Sequence, residues 1–441
     1  DCGGPGRDRG DASGVDRSDD GAMTGMVTVN GRGYAWPEAP VVVVCIDGSE
    51  PAYIEEAIRT GRAPFLGRVA AGGTDLRAHC VVPSFTNPNN LSIVTGVPPA
   101  VHGISGNYFL DPESGEEIMM NEPRFLRAPT IFEAFQKAGA RVAVVTAKEK
   151  LRRLLGCGLA FGAGGAICFS AEMADRVTLA DNGVGDVLSL VGMPVPDVYS
   201  AALSEFVFAA GVRIMETRRP DILYLSTTDY IQHKHAPGTD EANGFYAMMD
   251  RYLERLDALG AVLVLTADHG MNAKHGPNGR PNVIYLQDLL DDWLGSGMSR
   301  VILPITDPYV VHHGALGSYA TVYLGDGVDG EAILTRLRGL DGIEFAATGR
   351  RACAEFALPE DRVGDLVLVS AKDVVVGTRE SDHDLSGLDA PLRSHGGIAE
   401  RTVPLMVNRP LTSLDQFHVL RNFDAFDIAL NHVRKVPNAA A

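Results

Sequence analysis

Six apolar residues, Val41-Val42-Val43-Val44-Cys45-Ile46, run without a break and stop at Asp47-Gly48. A short continuous apolar run of this kind predicts a strand buried on both faces of a parallel sheet, with a carboxylate at its C-terminal tip. The same grammar recurs along the chain. A strand over 143–145 leads into Thr146-Ala147-Lys148, and one over 222–225 leads into Ser226-Thr227-Thr228-Asp229. A strand over 261–265 leads into Thr266-Ala267-Asp268-His269-Gly270. Helical periodicity follows the first strand over 50–70, and an amphipathic helix is expected over 243–259. Strands alternating with helices predict an α/β protein with a doubly wound, mostly parallel sheet. Ligands of such sheets bind at the carboxyl ends of the strands, where all these polar residues fall.

The pattern changes between 301 and 376. Short β-like pieces over 319–324 and 366–369 flank a helix over 330–340, which predicts a smaller α+β cap inserted into the larger unit. The catalytic core is then expected over 27–300 and 377–441, with 403–407 among its last strands. Residues 1–26 are polar and Gly-rich and are expected to be a disordered extension.

Composition narrows the partners. Hydrophobic residues make up 45% and charged residues 22% of the 441, the balance of a soluble globular protein. A formal net charge of -17 argues against a nucleic-acid backbone or an anionic membrane. A small anion remains compatible, because bound metal ions can make one pocket positive. No apolar run approaches membrane-spanning length. The cysteines Cys2, Cys45, Cys80, Cys157, Cys168 and Cys353 form no CxxC pair and read as reduced thiols of a cytoplasmic protein.

Four strand tips offer metal ligands. Asp47 ends the first; Asp229 and His233, four residues apart, share a helix face. Asp268-His269 ends the third, and His395 sits in Ser394-His395-Gly396-Gly397. An isolated Asp after a strand is ordinarily a helix N-cap, and a lone His is ordinarily structural. Three Asp and three His at matching topological positions are harder to explain that way, and they suffice for two zinc sites of mixed N/O type. His235 and His275 lie near these residues in sequence but lack the strand-tip placement.

Ser84-Phe85-Thr86-Asn87-Pro88-Asn89-Asn90 offers a hydroxyl nucleophile. Pro83 and Pro88 exclude a strand or helix interior there, which puts Thr86 just ahead of a helix over 89–95. Backbone N–H groups at a helix start favour an anion. Thr86 could equally be a capping residue in a turn. Lys148 and Lys150 could be solvated charges, although cations at a helix start oppose its dipole and make sense beside an anionic partner.

Taken in order, Asp47, Thr86, Asp229-x-x-x-His233, Asp268-His269-Gly270 and His395-Gly396-Gly397 resemble the metal motifs of the alkaline phosphatase superfamily. The stretch from Ser226 to Thr239 and the stretch Asp307-Pro308-Tyr309-Val310-Val311-His312-His313-Gly314 resemble its phosphonoacetate hydrolase family. The resemblance runs from about Val27 to His432. It implies an alkaline phosphatase-like fold and two zinc ions per chain. Asp229, His233 and His395 would hold one ion; Asp47, Asp268 and His269 would hold the other, with Thr86 as hydroxyl ligand and nucleophile. Asn107 matches the family's phosphonate-oxygen donor, and Lys148 and Lys150 match its lysines near the substrate. The implied reaction is hydrolysis of the carbon–phosphorus bond of phosphonoacetate through a phospho-threonine, by a chain free or paired as a homodimer.

Two alternatives stay open. A phosphodiesterase or nucleotide pyrophosphatase on the same scaffold would want stacking aromatics, for which Tyr108 and Phe109 are candidates. A metal-dependent binding protein without turnover is the other; the intact Thr86 counts against it.

Overall fold

The computed structural model describes residues 15–17, 23–305 and 314–434. Its centre is a seven-stranded sheet. From edge to edge the strands are Thr74–His79, Thr402–Val407, Val262–Thr266, Val41–Cys45, Ile222–Ser226, Val142–Thr146 and Ile167–Ser170. The five strands from Val262–Thr266 to Ile167–Ser170 run parallel, and Thr402–Val407 is antiparallel to both its neighbours. Alternate residues of a strand face opposite sides. Val42, Val44, Leu223 and Leu225 enter the core on one side, and Val41, Val43, Ile222 and Tyr224 enter the core on the other. Both sets are apolar, so both faces need covering helices.

The expected helical stretch over 50–70 is two helices, Pro51–Arg59 and Pro64–Gly72. Pro64 lacks the N–H a helix interior requires, so it can only open a new helix. The helix expected over 243–259 begins earlier, at Asp240, where the Thr239 hydroxyl caps Ala242 N–H.

A second, four-stranded antiparallel sheet has the order Ser299–Ile302, Tyr319–Leu324, Leu366–Ser370, Ile343–Thr348. Helices Gly330–Arg338 and Gly349–Phe356 pack on it around Leu334, Leu337 and Val367. Helix Leu286–Leu294, ahead of residue 301, joins the same core through Leu286 and Leu290. Part of the expected N-terminal extension is paired: Val15–Arg17 is antiparallel to Met23–Val29. The alternation that buries Val27 and Val29 keeps the second strand extended. Asp307, His312 and His313 lie outside the described residues.

Candidate active site and metal centre

Asp47, Asp229 and Asp268 sit just beyond strands of the large sheet, whereas His395 follows Arg393–Ser394, which pairs with Asn272–Ala273 in a separate two-stranded sheet. Asp47 follows Val41–Cys45, and its N–H donates to Thr227 Oγ1 at 2.9 Å. Gly48 next to it has φ +71, and a Cβ there would meet Asp229 Cβ at 3.0 Å, so the turn needs glycine. Asp229 caps the short helix Tyr230–Lys234, which brings His233 Nε2 to 2.9 Å from Asp229 Oδ2. His395 Nε2 lies 3.6 Å from the same oxygen. Asp47, Asp268 and His269 converge as a second group, and His269 also reaches the group of Asp229 and His395. The rings of His269 and His395 stack, with centroids 3.6 Å apart.

The donor set fits metal ions. Each histidine hands Nδ1 to a backbone carbonyl: His233 to Arg393 at 2.8 Å, His269 to Gly270 at 2.9 Å, His395 to Ser84 at 2.7 Å. With Nδ1–H donating, a neutral ring presents the Nε2 lone pair to the site. His269 Nε2 and Asp47 Oδ1 face each other at 3.2 Å, yet neither has a hydrogen-bond partner and both are buried. Two lone pairs held face to face call for a cation between them.

The electrostatics agree. Burial, and then Asp229 and Asp268, push Asp47 well above the usual carboxylate range. Burial likewise raises Asp268. Burial opposes a charge on His269, but Asp268 and Asp47 outweigh it and push the ring up to about 10, so without a metal ion a proton on Nε2 would take the place between His269 and Asp47. Burial, helped by His269 and His233, holds His395 well below the usual range. A buried cluster with three carboxylates has an excess of negative charge that divalent cations offset.

A cavity opens above these groups. Asp47, Thr86, Asp229, His233 and His395 line it together with Asn107, Lys148 and Lys150. Thr86 is the first residue of helix Thr86–Thr95. The helix thus begins three residues ahead of the expected 89, with Pro88 inside its first turn. First-turn N–H groups have no intrahelical partner, so proline costs nothing there. The N–H of Asn87 donates to Asn107 Oδ1 at 2.9 Å. That bond fixes which end of the amide is oxygen and leaves the Asn107 NH2 as the donor end. Lys148 is the N-cap residue of helix Glu149–Leu155.

Other expected participants are elsewhere. His235 and His275 join neither metal group among the described residues. Phe109 is buried edge-on against Phe125, and the Tyr108 hydroxyl donates to Glu117 O. Neither lines the cavity, so the aromatic slot of a nucleoside site is not formed by them.

Four supporting residues escaped the sequence reading. Asn90 donates to Asp268 Oδ2 at 3.1 Å and to Thr86 O at 3.1 Å, while its oxygen accepts from Tyr224 and Ser226 hydroxyls. The pair Asn89-Asn90 inside a helix, where asparagine is disfavoured, was its available signal. Ser84 bonds the His395 turn, Arg393 supplies the carbonyl for His233, and Glu400 accepts from Gly397 N–H. Nothing in their local sequence distinguishes them from surface polar residues.

The type I phosphodiesterase / nucleotide pyrophosphatase family model matches residues 41–397. The crystal structure of phosphonoacetate hydrolase from Sinorhizobium meliloti 1021 in complex with phosphonoacetate is 60% identical, with a TM-score of 0.90 over 92% of this chain and 98% of that one. Murine ectonucleotide pyrophosphatase / phosphodiesterase 5 shares the fold, at 18% identity and a TM-score of 0.60 over 92% of this chain and 98% of that one. A Caenorhabditis elegans ectonucleotide pyrophosphatase/phosphodiesterase is 26% identical over 290 residues, 62% of this chain. The match spans only 34% of that relative's length. This chain belongs to the type I phosphodiesterase / nucleotide pyrophosphatase family, within the metal-dependent alkaline phosphatase superfamily.

Proposed function

We propose that the chain hydrolyses the carbon–phosphorus bond of phosphonoacetate to acetate and phosphate, with two zinc ions and Thr86 as nucleophile. The 60% identity to the Sinorhizobium meliloti hydrolase carries the reading. Asp229, His233 and His395 would hold one ion, and Asp47, Asp268 and His269 the other. Bound zinc would supply Lewis acidity that lowers the pKa of the Thr86 hydroxyl and offsets phosphonate charge.

The chain's own residues do the rest. Thr86 gives its hydroxyl proton to water as Oγ forms a bond to phosphorus and the P–C bond breaks. The start of its helix favours the anionic group in front of it. The Asn107 NH2 donates to a phosphonyl oxygen. The leaving carbon carries a pair of electrons next to a carboxylate and is poor unless that charge spreads as an enediolate. Lys148 and Lys150 stabilise that charge, more as it develops than before. The carbon then takes a proton from water and departs as acetate. A second water cleaves the phospho-threonine, releasing phosphate and restoring Thr86.

The same reading takes 301–376 as a cap inserted between 27–300 and 377–441. A cytoplasmic location fits Cys45, Cys80, Cys157, Cys168 and Cys353, none of which is in a disulfide among the described residues. Membership of a phosphodiesterase family favours diester cleavage as the second reading. Phosphate release from phosphonoacetate, measured beside a nitrophenyl phosphodiester, decides between them. Turnover of the diester alone would discard the phosphonoacetate reading.

A further inference from the structure

Lys274 and Glu400 form an ion pair at 2.8 Å in which both side chains are fully buried. Burying two charges is costly unless their hydrogen bonds are met. Here they are. Glu400 Oε1 accepts from Lys274 Nζ and from Asn272 Nδ2 at 2.6 Å, and Oε2 accepts from Gly397 N–H at 2.9 Å. Lys274 Nζ also donates to Lys372 O at 2.7 Å.

The location gives the pair a role. Gly397 stands two residues after His395. The backbone carbonyl of Glu400 accepts from Gly270 N–H at 2.7 Å. Gly270 in turn is the residue whose carbonyl takes Nδ1 of His269. One residue therefore grips both ligand turns, with its side chain on the His395 turn and its main chain on the His269 turn. Asn272 and Lys274 belong to the segment after His269, and Asn272 pairs with Ser394 in a short antiparallel ladder. The network thus joins the two turns whose rings, His269 and His395, stack.

We propose that Glu400, with Lys274 as its buried counter-ion, is a positioning residue that sets the spacing between the two metal-ligand turns. The proposal rests on the two-metal reading of the site. Glu400 touches neither a metal group nor the cavity, so it acts through Gly397 and Gly270. Charge on Glu400 strengthens its bond to Gly397 N–H. Lys274 is what makes that charge tolerable in a dry interior.

The test is zinc binding alone, measured by dialysis against graded chelator. The variants are Glu400→Gln and the paired swap Lys274→Met/Glu400→Leu, with unfolding of the metal-free proteins followed in parallel. Glu400→Gln leaves Lys274 charged and unpaired, so it is expected to lose stability as well as metal. The paired swap removes both charges at similar volume and is expected to keep the fold, with some loss of stability because Gly397 N–H, Asn272 and Lys372 O lose their partners. It should still bind zinc roughly 10- to 100-fold more weakly, the scale for loss of an outer-shell partner. A folded paired variant that binds two ions within about twofold of wild type would overturn the proposal. So would failure of both variants to fold, because the pair would then be a stability element. Wild-type protein that holds fewer than two ions would instead sink the two-metal reading, and this inference with it.

Discussion

The backbone carbonyl of Ser84 accepts a hydrogen bond from Nδ1 of His395 at 2.7 Å, so the segment that carries Thr86 also orients a metal-group histidine. Three further bonds tie the two segments. Ser84 Oγ donates to Gly397 O at 2.9 Å and accepts from Gly396 N–H at 3.0 Å, and Ser84 N–H donates to Gly396 O at 3.2 Å. All of it is buried. Ser84→Ala removes the hydroxyl and leaves a buried N–H and a buried carbonyl each short of a partner. The expected cost is about 1–3 kcal/mol of stability, read from denaturant unfolding. Activity should fall as well, because His395 and Thr86 lose part of their common frame. A variant as stable and as active as wild type would show that the backbone bonds alone hold the register.

Gly396 is the tightest point of that frame. Its φ is +119, a region that L residues rarely adopt, and a Cβ there would lie 2.4 Å from Phe85 Cε1. Phe85 is buried and adjoins Thr86. Gly396→Ala must therefore strain the turn and push the ring beside Thr86. We expect a loss of about 1–3 kcal/mol in unfolding and a larger proportional loss of kcat than of apparent zinc affinity. Wild-type stability in this variant would mean that the loop relaxes at no cost.

The sheet was legible because its strands are apolar on both faces and end in polar tips; Val41–Cys45 and Ile222–Ser226 follow the reading almost residue for residue. Thr86 was misplaced relative to its helix because Pro88 looks like a breaker unless one knows it occupies the first turn. The convergence of Asp47, Asp229, Asp268, His269 and His395 could be anticipated because Asp and His at strand tips have little packing value. Lys274 and Glu400 could not, since burial of a Lys–Glu pair depends on two segments 126 residues apart meeting in space. Local sequence carries no trace of that.

Removing metal should leave a folded but less stable chain. The cluster of Asp47, Asp229 and Asp268 is buried, and ions that bind the folded state alone stabilise it by mass action. We expect about two zinc ions per active chain, no turnover after chelation, and a lower melting temperature that zinc restores. An active preparation with one ion or none would remove the two-metal mechanism.

Thr86→Ala should abolish turnover while leaving the fold in place. Thr86 is half-buried at the start of its helix, and among the described residues no hydrogen bond of the Thr86 side chain ties down a neighbour. The remaining carboxylates and histidines keep most of the zinc. The check is phosphate release together with metal content. Retention of a tenth of wild-type activity would make water the attacking group instead.

Selectivity for phosphonoacetate has to come from groups that meet its carboxylate, because two zinc ions and a threonine serve many phosphoryl transfers. Lys148 and Lys150, just beyond the tip of strand Val142–Thr146, line the same cavity as Asn107 and Thr86. A cation that contacts the developing enediolate stabilises the transition state more than bound substrate. Its loss should then lower kcat as well as raise KM. Lys148→Ala and Lys150→Ala are each expected to cost about 2–4 kcal/mol on phosphonoacetate, the scale for loss of one oxyanion donor. A nitrophenyl phosphate ester carries no carboxylate, and its leaving group needs little help, so its turnover should fall much less. The comparison needs both substrates on the same preparations, with zinc content matched. Equal losses on the two would place the lysines on the phosphoryl group or in the fold, and the carboxylate account of selectivity would have to be abandoned.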